Sequence, residues 1–171
     1  MADIAPALLS DVRKAFERNV ERNLTLRRVN NRIRDGTATT KDAHLFAEEL
    51  GEDIATVFKT LVLRGDRNGL FVCVIPGDHE VDLKAAARIS ANKKADLIAM
   101  KELLPTTGYI RGGCSPIGMK RPLPTYIHAS CLEHERIYIS AGIRGLQIAI
   151  NPRDLIEYCK ATVAELSQPM A

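Results

Sequence analysis

The chain has 171 residues, 46% of them hydrophobic and 26% charged, with a formal net charge of +3. A chain of that length folds as one domain whose core needs neither disulfide nor metal for stability. No segment reaches the roughly 18–20 apolar residues of a membrane helix. The opening MADIAPALLS lacks the basic leader and apolar stretch of a secretory signal, so the cytoplasm is the expected location.

In chain order, Leu8, Leu9, Val12, Phe16 and Val20 recur at helical spacing and predict a helix over 5–20. A short strand is expected around Leu24–Val29 and a turn at Asp35-Gly36. Asp42 to Leu50 reads as a second helix, capped by Thr39 or Thr40 and ended by Gly51, with one more helical turn over Ile54–Phe58. Thr60–Leu63 and Leu70–Ile75 are β-rich runs separated by a segment that carries Asn68-Gly69, a hairpin signature. Asp82 caps a helix to Ile89; a short strand is expected over Leu97–Met100 and a short helix over Lys101–Leu104. Residues 108–124 are rich in glycine and proline and read as loop. Strands follow at Thr125–Ile127, Arg136–Ser140 and Leu146–Ile150, then a helix opened by Pro152 and running to Cys159, and a last strand at Thr162–Ala164. This order mixes hairpin-like and helix-linked strands, which predicts a mixed α/β fold with a curled sheet rather than a regular βαβ array.

The side chains limit the chemistry. Cys73, Cys114, Cys131 and Cys159 form no C-x-x-C pair and are expected as reduced thiols, and the four histidines lack zinc-ligand spacing. Arginines and lysines crowd the first fifth of the chain (Arg13 to Arg34), a pattern that suits either a polyanion or a solvated helix face. Lys59 stands between Phe58 and the run Leu61-Val62-Leu63, where partial enclosure favours the neutral amine unless an anion is near. Its alternatives are a cation aimed at a phosphate or polarised carbonyl, and a lysine whose stem packs while its head reaches water. The Gly112–Gly118 loop can present main-chain N–H groups to an anion or carbonyl, but is neither a Walker loop nor a dinucleotide fingerprint. The Gly142-Ile143-Arg144-Gly145 turn is either a plain hairpin or a phosphate contact. Ser115 and Ser140 have no evident triad partners in sequence, and Cys114 lacks a neighbouring histidine.

Five of these segments together, over about residues 42–165, resemble the YbaK/prolyl-tRNA-synthetase-associated editing domain family. Following the helix that ends Ala47-Glu48-Glu49-Leu50-Gly51, they are Val57-Phe58-Lys59-Thr60-Leu61, Asp82-Leu83-Lys84, Thr107 to Gly113, Ser115 to Gly118, and Ser140 to Leu146. The resemblance implies a curled mixed β-sheet surrounded by helices, with residues 1–41 a divergent basic part of the same domain and 166–171 a tail. It implies deacylation of mischarged tRNA, such as Cys-tRNA(Pro) or Ala-tRNA(Pro), with no metal and no organic cofactor, and with tRNA and prolyl-tRNA synthetase as partners. Lys59 matches the family's essential lysine and Gly112 its functional glycine; Gly113 joins them as a second backbone donor. Phe58, Thr60, Ser115, Ser140, Gly142 and Arg144 are the expected substrate contacts. The region around Arg32–Gly36 departs from the family pattern, leaving one pocket wall and the amino-acid preference open. Two rival functions remain: a non-catalytic RNA-binding module, and a hydrolase of small esters or thioesters.

Overall fold

The computed structural model describes residues 25–28, 51–142 and 146–170. The helices expected over 5–20 and 42–50 fall outside these residues, as does Arg144. In chain order the elements are β1 (Thr25–Arg28), β2 (Phe58–Gly65), β3 (Gly69–Pro76), β4 (His79–Val81), α1 (Leu83–Ile89), β5 (Ala95–Leu97) and α2 (Met100–Thr107). Then come β6 (Thr125–His128), β7 (Ile137–Ser140), β8 (Leu146–Ile150), α3 (Pro152–Cys159), β9 (Thr162–Ala164) and β10 (Ser167–Pro169).

The β2–β3 hairpin is the spine. Its runs FKTLVLRG and GLFVCVIP pair antiparallel from Phe58↔Pro76 to Gly65↔Gly69. The turn between them uses Gly69 at φ +73°, a conformation that glycine enters without steric cost. Around this hairpin forms a sheet of order β5-β2-β3-β6-β9, in which β6 and β9 run parallel to their neighbours and the other pairs are antiparallel. A second, antiparallel sheet has the order β1-β8-β7, and a bridge between Val57 and Tyr138 joins its β7 side to the entry of β2. The expected mixed α/β architecture is therefore what forms.

Strand alternation sends β2 side chains into two separate cores. Phe58 and Val62 join Val72, Val74, Tyr109, Ile117, Ile139 and Ile148 on one face, while Leu63 joins Phe71, Cys73, Ile75, Ala86 and Leu166 under α1 on the other. Burial on both faces explains why β2 and β3 read as nearly unbroken apolar runs. Asp82 caps α1 as expected, its carboxylate accepting from Ala85 N–H at 3.1 Å.

Three local expectations shift. The helix expected over Lys101–Leu104 is α2, which begins at Met100 and passes through Pro105 to Thr107. Its start is fixed by Glu102, which accepts from Ala99 N–H at 3.0 Å, so Met100 belongs to the helix rather than to the preceding strand. Its end is fixed by Gly108 at φ +82°, whose N–H reaches Leu104 O at 2.8 Å. Of Asp78-His79-Glu80, which reads as a polar turn, Asp78 stays in the turn while His79 and Glu80 open β4. Its partner is β10, within the segment that the sequence leaves as a tail: Ser167 pairs with Val81 and Pro169 with His79.

Candidate active site

Where β2 starts, beside β7, β8, α2 and the 108–118 loop, lies a cavity of about 430 Å³. That volume falls in the range of small-ligand sites. Its walls are mostly aliphatic, with Val57, Leu61, Val62, Ile98 and Leu103 among them. Its polar groups come from Lys59, Thr60, Arg111, Gly112, Ser140 and Gln147. Leu97 and Met100, 55% and 62% exposed, contribute an apolar rim.

The structure thus brings Phe58, Lys59, Thr60, Gly112 and Ser140 to one cavity. Lys59 is half-buried, and its Nζ donates to Gly77 O at 3.4 Å, a long contact. Burial pulls its ammonium below the usual lysine value, while the charges of Asp78 and then Glu80 offset part of that effect. By alternation Lys59 leaves β2 on the side of Ile75, its cross-strand partner, and Thr60 on the opposite side. The cavity wraps the beginning of the strand and includes both.

The glycine loop is held by its own side chains. Tyr109 is fully buried and its hydroxyl donates to Ile117 O. Thr107 Oγ1 donates to Leu103 O at 2.8 Å and accepts from Tyr109 N–H at 3.0 Å. Gly112 takes φ +87°, where a side chain would be strained. The Gly113 N–H is already spent on Ile110 O at 3.0 Å, and Gly113 is not among the cavity-lining residues. The backbone-donor role expected of the pair therefore narrows to Gly112. Ser115 is fully buried away from the cavity walls, its Oγ accepting from Ile117 N–H at 3.2 Å, so it shapes the loop. Gly142, at φ +96°, follows β7 without lining the cavity.

Among the described lining residues there is no histidine, aspartate or glutamate to act as a general base. Cys114 does line the cavity, but burial pushes its thiol up to about 12, so it remains protonated and a poor nucleophile near neutral pH. All four cysteines are free. Among the described residues no group of three or more His, Cys, Asp or Glu could hold a metal ion, and no helix is long and apolar enough to cross a membrane.

Besides Arg111, sequence reasoning missed a second polar lining residue, Gln147. It lies in a strand, Leu146-Gln-Ile-Ala-Ile150, that reads as pure core, yet its side chain faces the cavity at 1% exposure. A polar residue inside an apolar strand is the only signal the sequence offered.

Residues 37–158 match the family model described as "Aminoacyl-tRNA editing domain". Among curated proteins, "Putative Cys-tRNA(Pro)/Cys-tRNA(Cys) deacylase EbsC" of Enterococcus faecalis is 46% identical over 125 residues, covering 73% of this chain and 76% of that protein. A stretch of 84 residues, 49% of this chain, is 29% identical to 14% of the proline–tRNA ligase of Fervidobacterium nodosum. Among solved structures, one described as "a putative trans-editing enzyme for prolyl tRNA synthetase" superposes with a TM-score of 0.80 at 23% identity, covering 97% of this chain and 99% of that one. At that identity the superposition speaks for the fold; the length of the family match decides membership, and the chain belongs to the aminoacyl-tRNA editing domain family.

Proposed function

We propose that this protein acts in trans on mischarged aminoacyl-tRNA, hydrolysing the ester between the amino acid and the terminal ribose, with Cys-tRNA(Pro) or Ala-tRNA(Pro) as substrate. The observation that carries this reading is a cavity lined by both the half-buried Lys59 and Gly112 within mostly aliphatic walls. The relationship to EbsC supports cysteine as the amino acid removed. The partial match to proline–tRNA ligase supports tRNA(Pro), with prolyl-tRNA synthetase as the partner that releases it.

In this mechanism the Lys59 ammonium leaves its long contact with Gly77 O and binds the phosphate or ester region of the terminal nucleotide. The Gly112 N–H polarises the ester carbonyl, a type of stabilisation in which one donor contributes about 3 kcal/mol. The attacking group is a positioned water or, for cysteine, the substrate's own thiol. The absence of an acid or histidine among the described lining residues supports such substrate-assisted chemistry. The small aliphatic space beside the two groups suits a short side chain and excludes a bulky one.

A panel of Cys-, Ala- and Ser-charged tRNA(Pro), assayed with wild type and Lys59→Ala, tests the proposal. Wild type should release the amino acid from at least one of the three, and the variant should be at least about 100-fold slower while its melting temperature is retained. Near-normal turnover by Lys59→Ala overturns the mechanism. Salt-sensitive tRNA binding by wild type without ester cleavage overturns the enzyme assignment in favour of an RNA-binding module.

A further inference from the structure

Two histidines meet on the face of the large sheet that Lys59 also occupies. Lys59 pairs with Ile75, and Val74 with Ile127, so by alternation Lys59, Ile75 and His128 leave the sheet on the same side. His79, at the start of β4, packs edge-on against His128 with ring centroids 5.3 Å apart. His128 is 6% exposed, and neither ring lines the cavity.

Each histidine holds one residue of the same segment. His128 Nε2 lies 3.1 Å from Glu165 Oε2, and His79 Nδ1 lies 2.8 Å from Ser167 Oγ. Between those two, Leu166 is fully buried in the core under α1, and its carbonyl accepts from Asp82 N–H. Residues 167–169 then pair with β4, and Met170 N–H reaches Asp78 O at 3.0 Å. The segment so held backs the turn that carries Gly77, whose carbonyl meets Lys59, and Asp78, whose charge attracts it.

The bonds of His128 need its neutral form. Its Nδ1 accepts from Ser130 N–H at 3.2 Å, and a backbone N–H can only donate, so the ring proton sits on Nε2 and is donated to Glu165. A second proton must enter at Nδ1, where it turns an acceptor into a donor facing another donor. Ser130 Oγ, 2.9 Å from the same nitrogen, adapts by rotating its hydroxyl; the backbone N–H cannot. Glu165 and Glu133 attract a proton to His128 and His79 opposes it, but burial outweighs all three and holds the imidazolium below the usual histidine value. Around His79 stand Asp78, whose Oδ1 is 4.0 Å from Nε2, and Glu80, which accepts from Gln168 at 3.3 Å.

We infer that His79 and His128 are positioning residues that form a pH-sensitive clasp: neutral, they fasten residues 165–167 over the turn beside Lys59, and in mild acid they release it. The clasp stands apart from the proposed deacylation; its effect on turnover rests on that reading. Once the segment is released, His128 is no longer buried and binds a proton at the ordinary value of about 6.5, whereas the clasped ring does so only at lower pH. The stability that His128 lends the clasp is therefore complete above about pH 6.5 and is lost as pH falls through the lower folded value. On release the turn at Gly77 and Asp78 loses its braces, and the Lys59 ammonium is no longer held at one place.

Hydrogen exchange followed by NMR between about pH 7.5 and pH 5 tests the clasp, over the range where histidines change charge. Protection factors, which correct for the intrinsic pH dependence of exchange, should fall about tenfold or more for Asp82 N–H and Met170 N–H, while amides of the β2–β3 hairpin hold theirs. His128→Asn keeps an acceptor for Ser130 N–H and cannot be charged, so its protection should stay flat. His79→Gln should lose part of the fall. In wild type, kcat/KM on Cys-tRNA(Pro) should drop over the same interval, and in His128→Asn it should hold. The inference is overturned by unchanged protection in wild type, by a fall shared equally with the hairpin amides, or by a full fall in His128→Asn. If that variant does not fold, a full fall in His79→Gln overturns it instead. Turnover that ignores the opening overturns the link to Lys59. Expected protection beside turnover that is absent at every pH sinks the proposed deacylation and leaves the clasp standing.

Discussion

The two ends of β2 bury polar groups in opposite ways. At its C-terminal end, Asn92 is 7% exposed and its side chain is saturated. Its Oδ1 accepts from Arg67 N–H at 2.9 Å and Asn68 N–H at 2.7 Å, and its Nδ2 donates to Ser90 O at 3.3 Å and Ser90 Oγ at 2.8 Å. Asn68 Nδ2 donates in turn to Ser90 O and Ala91 O, and Asp66 Oδ1 accepts from Lys93 and Lys94 N–H. At the N-terminal end, Thr60 Oγ1 has no partner and the Lys59 ammonium has one long contact. A closed network fastens the hairpin to α1, and an open one waits at the cavity. The difference separates polar groups that serve stability from those that serve a ligand, on a single strand.

Breaking the closed end should produce the largest change in stability. Asn92→Ala leaves two turn N–H groups and the Ser90 acceptors without their partner, and should cost about 2–4 kcal/mol in a urea melt. Deacylation measured well below the melting temperature should stay within about twofold of wild type, because distant sites behave independently. A loss of activity on folded protein would dissolve the distinction between the two ends.

Gly65→Ala attacks the same network from the strand. A Cβ there would lie 2.1 Å from Asn92 Cγ, so the buried amide must shift. The expected cost is about 1–3 kcal/mol. Because both changes act on one set of bonds, the double variant should be less destabilised than the sum of the singles. Full additivity would show that the strand and Asn92 do not share this contact.

The smallest effect sharpens the open end. In the proposed mechanism Lys59 acts as a cation, so its contribution is present below its folded pKa and lost as pH rises through it. That pKa is already below the ordinary lysine value of about 10.4, because burial outweighs the attraction of Asp78 and Glu80. Turnover, corrected for spontaneous hydrolysis, should therefore fall on the alkaline side below the ordinary lysine range. Asp78→Asn removes the larger of the two attractions and should move that fall to lower pH, with little change in melting temperature. An unmoved alkaline limb would mean that another group titrates there.

The hairpin was legible in sequence because Asn68-Gly69 combines turn chemistry with flanking β-rich runs, and α1 because Asp82 precedes an alanine-rich helical stretch. α2 runs past the expected Leu104 through Pro105 to Thr107, with Glu102 and Gly108 fixing its two ends. β4 and β10 span three residues each and are defined by each other rather than by any local pattern. In the candidate site, Lys59 and Gly112 were legible through their motifs. Gln147 was not, since its role depends on which way one side chain faces. Gly113 and Ser115 fall outside the cavity lining and bond locally to Ile110 and Ile117, a placement that no sequence pattern shows.

The β4–β10 pair bears on when the site comes into being during synthesis. Asp82 N–H bonds Leu166 O at 2.8 Å, and Met170 N–H bonds Asp78 O at 3.0 Å, so the turn that presents Gly77 O to Lys59 is braced from both sides by residues translated some ninety positions later. Until residues 166–170 have emerged from the ribosome, the turn beside the lysine lacks these braces. A nascent chain that has already closed its central hairpin would still lack the native surroundings of its candidate catalytic amine.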